Sequence, residues 1–230
     1  MDKILKILNR LNVAYVKQRL LLIYLIIQNT ILSLLMLIFA NVIISNGQAN
    51  GELDYSQIRM FYNIAIIIPF IIVYIFSPIL LSRVINSLYK RNVIEHLLSV
   101  RIEISDIVYA IYFRGLATLL IILVSSFPII TISFYFGGFG LIKMLKLLLM
   151  VLSFAVFFSS VCLFISTRFV DENATTIVSY VLGAILTFVN IFYLNSIINS
   201  SLLIIPYIAF NIIMALVFVS LSKKTALFCA

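Results

Sequence analysis

Six long apolar stretches, none of which contains an aspartate or a glutamate, constrain this chain more than any other feature. They lie at residues 20–45, 60–81, 115–136, 141–167, 174–193 and 207–222. A helix needs about 20 mainly apolar residues to cross the hydrocarbon core of a bilayer. Because backbone groups in lipid must be hydrogen-bonded within the protein, such stretches fold as helices. The sequence therefore predicts an all-α membrane protein with six transmembrane helices.

The amino-acid composition is that of a membrane protein and differs from that of soluble domains. The chain is 64% hydrophobic and 10% charged, whereas soluble domains are roughly 45–50% apolar and about 25% charged. We expect one membrane domain over residues 1–230, without a soluble catalytic domain. The net charge of +8 indicates contact with anionic lipid rather than nucleic acid, because the basic residues cluster at the ends of the spans.

The distribution of lysine and arginine predicts the topology. If the N-terminus is cytoplasmic, only Arg59, Lys143 and Lys146 face outward. The other thirteen basic residues face the cytoplasm: Lys3, Lys6, Arg10, Lys17, Arg19, Arg83, Lys90, Arg91, Arg101, Arg114, Arg168, Lys223 and Lys224. Cytoplasmic loops of membrane proteins are enriched in these residues. The bias favours a multi-pass protein with both termini in the cytoplasm.

Residues 1–19 precede the first span and combine apolar positions at roughly helical spacing with basic ones. Lys3, Lys6 and Arg10 would face water and lipid headgroups while the apolar side enters the membrane surface. The pattern predicts an interfacial helix, and a merely basic, partly ordered tail is the alternative.

Arg114 sets the predicted start of the third span. An arginine at the bilayer centre costs roughly 3 kcal/mol on insertion scales. We therefore expect residues 106–114 to lie at the membrane interface and residues 115–136 to cross the bilayer.

The segment 83–106, between the second and third spans, is the longest part of the chain without a membrane-grade apolar run. If it is helical, Ile94, Leu97 and Leu98 share an apolar face that a partner could bury. Charged neighbours would then surround that face. The residues assigned to docking are Arg91, Ile94, Glu95, His96, Leu97, Leu98, Ser99 and Arg101. The alternative is a solvated loop whose charges only enforce topology.

Several kinds of chemistry are missing from the sequence. No GxxxxGK[ST] motif is present, so the chain has no P-loop for ATP. No acidic residue lies deep in a span, which disfavours a proton-coupled pump. The single histidine, His96, and two cysteines without CxxC spacing offer no metal or haem site. We expect no catalytic residues and no cofactor on this chain.

Six amides occupy positions in or near the spans. They are Gln28, Asn29, Asn41, Asn63, Asn190 and Asn211. Such side chains either line a substrate path or form hydrogen bonds between helices, each worth about 1 kcal/mol. We favour the packing role for any single one.

Part of the docking segment has a recognisable pattern. NVIEHLLS at residues 92–99 is followed by RIEI at residues 101–104. This succession resembles the loop between spans two and three of the ABC-2 family of ABC transporter permeases. It departs from the family in two places: Asn92-Val93 replaces a Gly-Thr pair, and the proline after Leu-Leu-Ser is absent. Ile165-Ser166-Thr167-Arg168 and Asn173-Ala174 also resemble the family pattern after span four.

The resemblance implies a permease in the bacterial cytoplasmic membrane that pairs with a second permease copy. Two copies of a separate cytoplasmic ATPase subunit would hold ATP and Mg, and the helix matching Glu95–Ser99 would rest in a groove of that ATPase. ATP hydrolysis in the partner would then drive substrate out of the cytoplasm.

Two other functions stay open from the sequence. One is a haem-export-type permease of similar size, which the shortage of histidines does not support. The other is a membrane anchor or assembly protein that binds a cytoplasmic partner through segment 83–106. An ATPase that co-purifies with the chain would separate the transporters from the anchor.

Overall fold

The computed structural model describes residues 18–50, 55–82, 104–136, 141–169 and 171–228. Over these ranges the chain forms six helices. They are α1 (Gln18–Asn50), α2 (Tyr55–Leu81), α3 (Ile104–Phe136), α4 (Leu141–Arg168), α5 (Glu172–Asn199) and α6 (Ser201–Phe228). All but α2 contain a stretch long and apolar enough to cross a membrane, and α2 has a shorter apolar stretch at Ile66–Leu81. The predicted all-helical membrane fold is confirmed at this level.

Helix α4 forms the centre of the bundle. In its apolar stretch 72% of the residues are buried, against 11% in α1. Phe154 and Phe158 of α4 stack nearly parallel, with ring centroids 5.8 Å apart, and neither is exposed. Phe70 of α2 packs on Phe154 at 5.6 Å. Because α4 is enclosed in this way, the other helices take their positions from it.

Helix α1 lies at the opposite extreme, on the outside of the bundle. Its contacts are mainly with α3, and it touches its chain neighbour α2 much less. Most of its large apolar side chains, including Leu22, Ile26 and Leu37, are exposed. This surface suits contact with lipid or with another protein.

Helix α3 continues unbroken for 33 residues from Ile104, so residues 106–114 and 115–136 belong to one helix. Ala110 and Ile111 are buried in the bundle. The Tyr112 hydroxyl donates a hydrogen bond to the Val156 carbonyl of α4 at 3.0 Å. The first turns of α3 thus pack against protein, and the interfacial position of residues 106–114 stays a prediction.

The turn between the last two helices is short. The apolar stretches 174–193 and 207–222 leave residues 194–206 between them, but α5 continues to Asn199 and α6 begins at Ser201. Only Ser200 lies between them. The polar residues before it therefore extend a helix instead of forming a loop.

Two glycines allow the helices to approach closely. A Cβ atom on Gly183 of α5 would overlap the ring of Phe158 and lie 3.0 Å from Tyr74 Cδ2 of α2. A Cβ on Gly115 of α3 would lie 2.5 Å from Leu81 Cδ2. Small residues serve this purpose in membrane bundles, where association depends on close packing. The contact of Gly183 with Phe158 and Tyr74 holds α2, α4 and α5 together.

We predict that Gly183→Leu destabilises the bundle, because Phe158 is fully buried and cannot move aside. Overpacking of this kind lowers the free energy of unfolding by about 1–3 kcal/mol. The measurement is the midpoint of thermal unfolding in detergent. Ala184→Leu, at the exposed neighbouring position, is the control and should unfold near the wild-type temperature. Equal midpoints for the two variants would contradict the packing role of Gly183.

Candidate functional site

The residues predicted to dock a partner lie outside the described part of the chain. This applies to Arg91, Ile94, Glu95, His96, Leu97, Leu98, Ser99 and Arg101, and equally to Lys3, Lys6 and Arg10 of the predicted interfacial helix. The structure does define the two helix ends that carry the docking segment. They are the end of α2 at Leu81 and the start of α3 at Ile104.

Helices α2 and α3 are packed together where the segment leaves the bundle. Leu81, in the last turn of α2, is fully buried and meets Gly115 of α3. The next residue, Ser82, donates its backbone N–H to the Pro78 carbonyl at 2.9 Å and its hydroxyl to the same oxygen. Arg114 precedes Gly115 and so lies level with the end of α2. The chain therefore leaves α2 from a fixed position.

Charged residues gather at one end of the bundle, formed by the start of α3 and the ends of α4 and α6. Thr167 of α4 and Thr225 of α6 share a hydrogen bond of 2.7 Å. The Lys223 ammonium of α6 lies 5.9 Å from the ring centroid of Tyr109 in α3. Arg168 ends α4 beside Thr167. We call this region the charged end.

Asp171 begins α5 at the charged end. Its carboxylate accepts hydrogen bonds from the backbone N–H groups of Asn173 at 3.3 Å and Ala174 at 3.4 Å. This is the N-cap arrangement, in which a side-chain oxygen satisfies amides that have no partner within the helix. Glu172 follows in the first turn, where the helix dipole favours a negative charge. Both carboxylates thus have a structural role in α5.

A groove of about 720 Å³ lies between α4, α5 and α6. We call it the lateral groove. Its walls are almost entirely apolar, with Val161 and Phe164 from α4, Leu182 from α5 and Met214 from α6. Other wall residues such as Phe210, 58% exposed, lie at its outer edge. The groove therefore opens sideways, toward the position that lipid occupies around a membrane bundle.

The amides in the wall of the lateral groove are engaged in hydrogen bonds between and within helices. Asn190 of α5 accepts a hydrogen bond from the Tyr207 hydroxyl of α6 and donates to the Leu186 carbonyl at 2.7 Å. Asn211 of α6 donates to the Ser153 hydroxyl of α4 at 3.4 Å. The packing role favoured from the sequence fits both residues.

A second groove, of about 340 Å³, lies between α1 and α2. Gln28 lines it, and neither its amide nitrogen nor its amide oxygen has a hydrogen-bond partner within the described ranges. The Asn29 side-chain oxygen likewise has no hydrogen-bond partner within these ranges. Thr30, by contrast, donates its hydroxyl to the Ile26 carbonyl of its own helix at 2.8 Å. Three buried amide atoms on the outermost helix thus lack a hydrogen-bond partner among the described residues.

Sequence reasoning missed the lateral groove. Its lining residues are mostly apolar and individually indistinguishable from lipid-facing positions, and Arg168 was considered only for topology and for the family resemblance. One signal was present: Val161, Phe164, Ile165 and Arg168 follow the i, i+3, i+4, i+7 spacing of a helix face. An apolar helix face that ends in a cation would have indicated the groove wall, but not the space in front of it.

Comparisons with models of known protein families, with curated proteins and with solved structures find no match to this chain. A function for the chain is therefore inferred from its residues and their geometry.

The charge distribution predicts which end of the bundle is cytoplasmic. In a Cys229→Ser background, Lys224→Cys at the charged end should react with a membrane-impermeant maleimide only after cells are permeabilised. Lys143→Cys, at the opposite end of α4, should react in intact cells. Cys162 is fully buried and should stay unlabelled in the folded protein. The reverse labelling pattern would overturn the predicted orientation.

Proposed function

We propose that this chain is the membrane subunit of an ATP-driven ABC exporter. It moves substrate out of the cytoplasm when a separate cytoplasmic ATPase, which carries ATP and Mg, binds and hydrolyses the nucleotide. The observation that carries the proposal is the attachment of segment 83–103, which contains the docking residues, to two helices that are packed together inside the bundle.

The attachment allows a force on the docking segment to reach the interior. Leu81 packs against Gly115, so α2 and α3 move together at the point where the segment leaves α2. Helix α3 is bonded to α4 through Tyr112, and α2 contacts α4 through Phe70. Packed interfaces tend to switch between discrete arrangements rather than deform continuously. A partner that moves the segment would therefore shift α2 and α3 against α4.

The sequence of the segment suits a soluble partner. Ile94, Leu97 and Leu98 supply an apolar patch, while Arg91 and Arg101 supply charges at its rim. Buried apolar anchors dominate binding energy, and rim charges mainly set orientation and the rate of encounter. Because the chain has no P-loop, an ATPase is the partner that would provide the energy for transport.

The decisive experiment is a pull-down from native membranes in mild detergent. Leu97→Asp combined with Leu98→Asp places two carboxylates on the apolar patch. We expect a Walker-type ATPase to co-purify with the wild-type chain and recovery to fall at least about tenfold in the double variant. Losing one or two buried anchors weakens an interface by about 2 kcal/mol or more.

Asn86→Asp combined with Ser87→Asp is the matched control, because it adds the same charge to the same segment outside residues 91–101. It should retain the ATPase. If both double variants retain the ATPase, the docking site is wrong. If no ATPase comes with the wild-type chain, even after crosslinking, the exporter proposal fails and the anchor function takes its place.

A second copy of the chain is part of the proposal, and α1 supplies its support. This helix is the least covered of the six, and most of its large apolar side chains, including Ile26 and Leu37, are exposed. Membrane helices associate through close packing of their surfaces. A neighbouring copy that packs on α1 would cover these side chains.

We predict that Ile26→Ala combined with Leu37→Ala weakens self-association in lipid about threefold or more, because both side chains are exposed on α1 and would lose packing across the interface. The measurement is energy transfer between labelled copies in liposomes over a range of protein-to-lipid ratios. Thr30→Val is the control, since it keeps the side-chain size and the Thr30 hydroxyl is bonded within its own helix. Equal association for the wild type and the double variant would exclude this interface.

A further inference from the structure

The length of the lateral groove matches one leaflet of a bilayer. Along α4 its wall runs from Phe157 to Arg168, and along α6 from Tyr207 to Phe218. Eleven residues of helix cover roughly 16 Å, and half of the hydrocarbon core is about 15 Å thick. The volume of about 720 Å³ lies within the range of about 300–1,000 Å³ found for small-molecule sites. One extended chain that enters from the membrane would fill the groove along its length.

The walls suit a hydrocarbon chain rather than a polar ligand. Asn190, Tyr207 and Asn211 in the lining are each hydrogen-bonded to the protein. Tyr193, the other uncharged polar side chain in the lining, is 56% exposed. Most of the remaining wall consists of aliphatic and aromatic side chains. A polar ligand would lose its hydration there without a replacement partner, which is unfavourable. An acyl chain in the surrounding lipid has no hydration to lose, and it gains dispersion contacts along the groove.

The end of the groove is cationic. Arg168 lies in the lining, and its guanidinium covers the Phe164 ring at 5.4 Å. A guanidinium carries its N–H donors in the plane of the group, so stacking on a ring leaves them available. That fork matches the oxygens of a phosphate. Arg168 is exposed, so its charge is accessible where the groove ends.

Charges of both signs lie near Arg168. Lys224 is next to Thr225, which is hydrogen-bonded to Thr167, the residue before Arg168. Asp171 and Glu172 lie at the start of α5, where the helix N-terminus stabilises their negative charge. Basic pockets between helices at the cytoplasmic side of membrane proteins bind anionic lipid headgroups.

We infer that the lateral groove is a binding site for an anionic phospholipid. One acyl chain lies between α4, α5 and α6, and the phosphate group contacts Arg168. The lipid comes from the leaflet at the charged end of the bundle. The site does not depend on ATP, on an ATPase partner or on transport. It can therefore be tested independently of the exporter function.

The test is native mass spectrometry of the full chain released from nanodiscs. The discs contain equal amounts of phosphatidylglycerol and phosphatidylcholine with identical acyl chains. We expect the wild type to retain one lipid, predominantly phosphatidylglycerol. Arg168→Gln should reduce that preference about fivefold, as expected for one basic residue at an anionic surface. Arg168→Lys should keep part of it.

A second pair of variants tests the groove itself. Leu182→Trp fills the groove and should abolish retention of both lipids. Val181→Trp, at the adjacent exposed position outside the lining, should retain lipid like the wild type. Elution volume in detergent checks that both variants fold.

Three outcomes would overturn the inference. One is equal retention of the two lipids by the wild type. Another is an unchanged preference in Arg168→Gln. The third is a loss of self-association in Leu182→Trp with lipid retention intact, because that would make the groove an interface between copies of the chain.

Discussion

The enclosure of α4 is the constraint on which the rest of the described bundle depends. In lipid, apolar side chains gain little by leaving their surroundings, so helices associate through close packing and a few hydrogen bonds. Here the stacked rings of Phe154 and Phe158 fill the centre of the bundle. Gly183 has no side chain, so α5 can pack directly against Phe158. Tyr112 and Asn211 add hydrogen bonds to α4 from two sides. Their combined effect is to fix α2, α3, α5 and α6 around one central helix, leaving only α1 outside.

Hydropathy was sufficient to predict the helices because each requires only a long apolar run. It was insufficient where a residue's surroundings matter more than its type. Arg114 led to the prediction of an interfacial segment over residues 106–114, since an arginine is unfavourable within lipid. Hydropathy gave no sign that α3 continues through Arg114 as one helix, with Ala110 and Ile111 buried against protein. The lateral groove could not be predicted from hydropathy, because its wall residues are of the same type as residues that face lipid. Val161 and Leu182 are examples. The docking residues stay a prediction, as they lie outside the described ranges.

The charged end brings together features that the sequence keeps far apart. Segment 83–103 joins two helices that are packed together, with the end of α2 against Gly115 of α3. Arg168 and Lys224 lie beside a hydrogen bond that links α4 to α6. The bundle interior, by contrast, is mainly apolar with buried serine and threonine side chains, and the amides Asn190 and Asn211 serve packing. The arrangement places the proposed contacts with soluble and lipid partners at one end of the bundle. Because α2 also packs on α5 through Gly183, movement of α2 would be felt at a wall of the groove.

The peripheral position of α1 has a consequence for biogenesis. Its main packing partner is α3, which begins about 50 residues after α1 ends. At roughly 5–20 residues per second, the ribosome makes that intervening chain in roughly 3 to 10 s. During this interval α1 has only α2 beside it, which it contacts little, and α3 does not yet cover Gln28 and Asn29. The membrane insertion machinery, or another newly made copy, must therefore accommodate these two amides before the bundle exists.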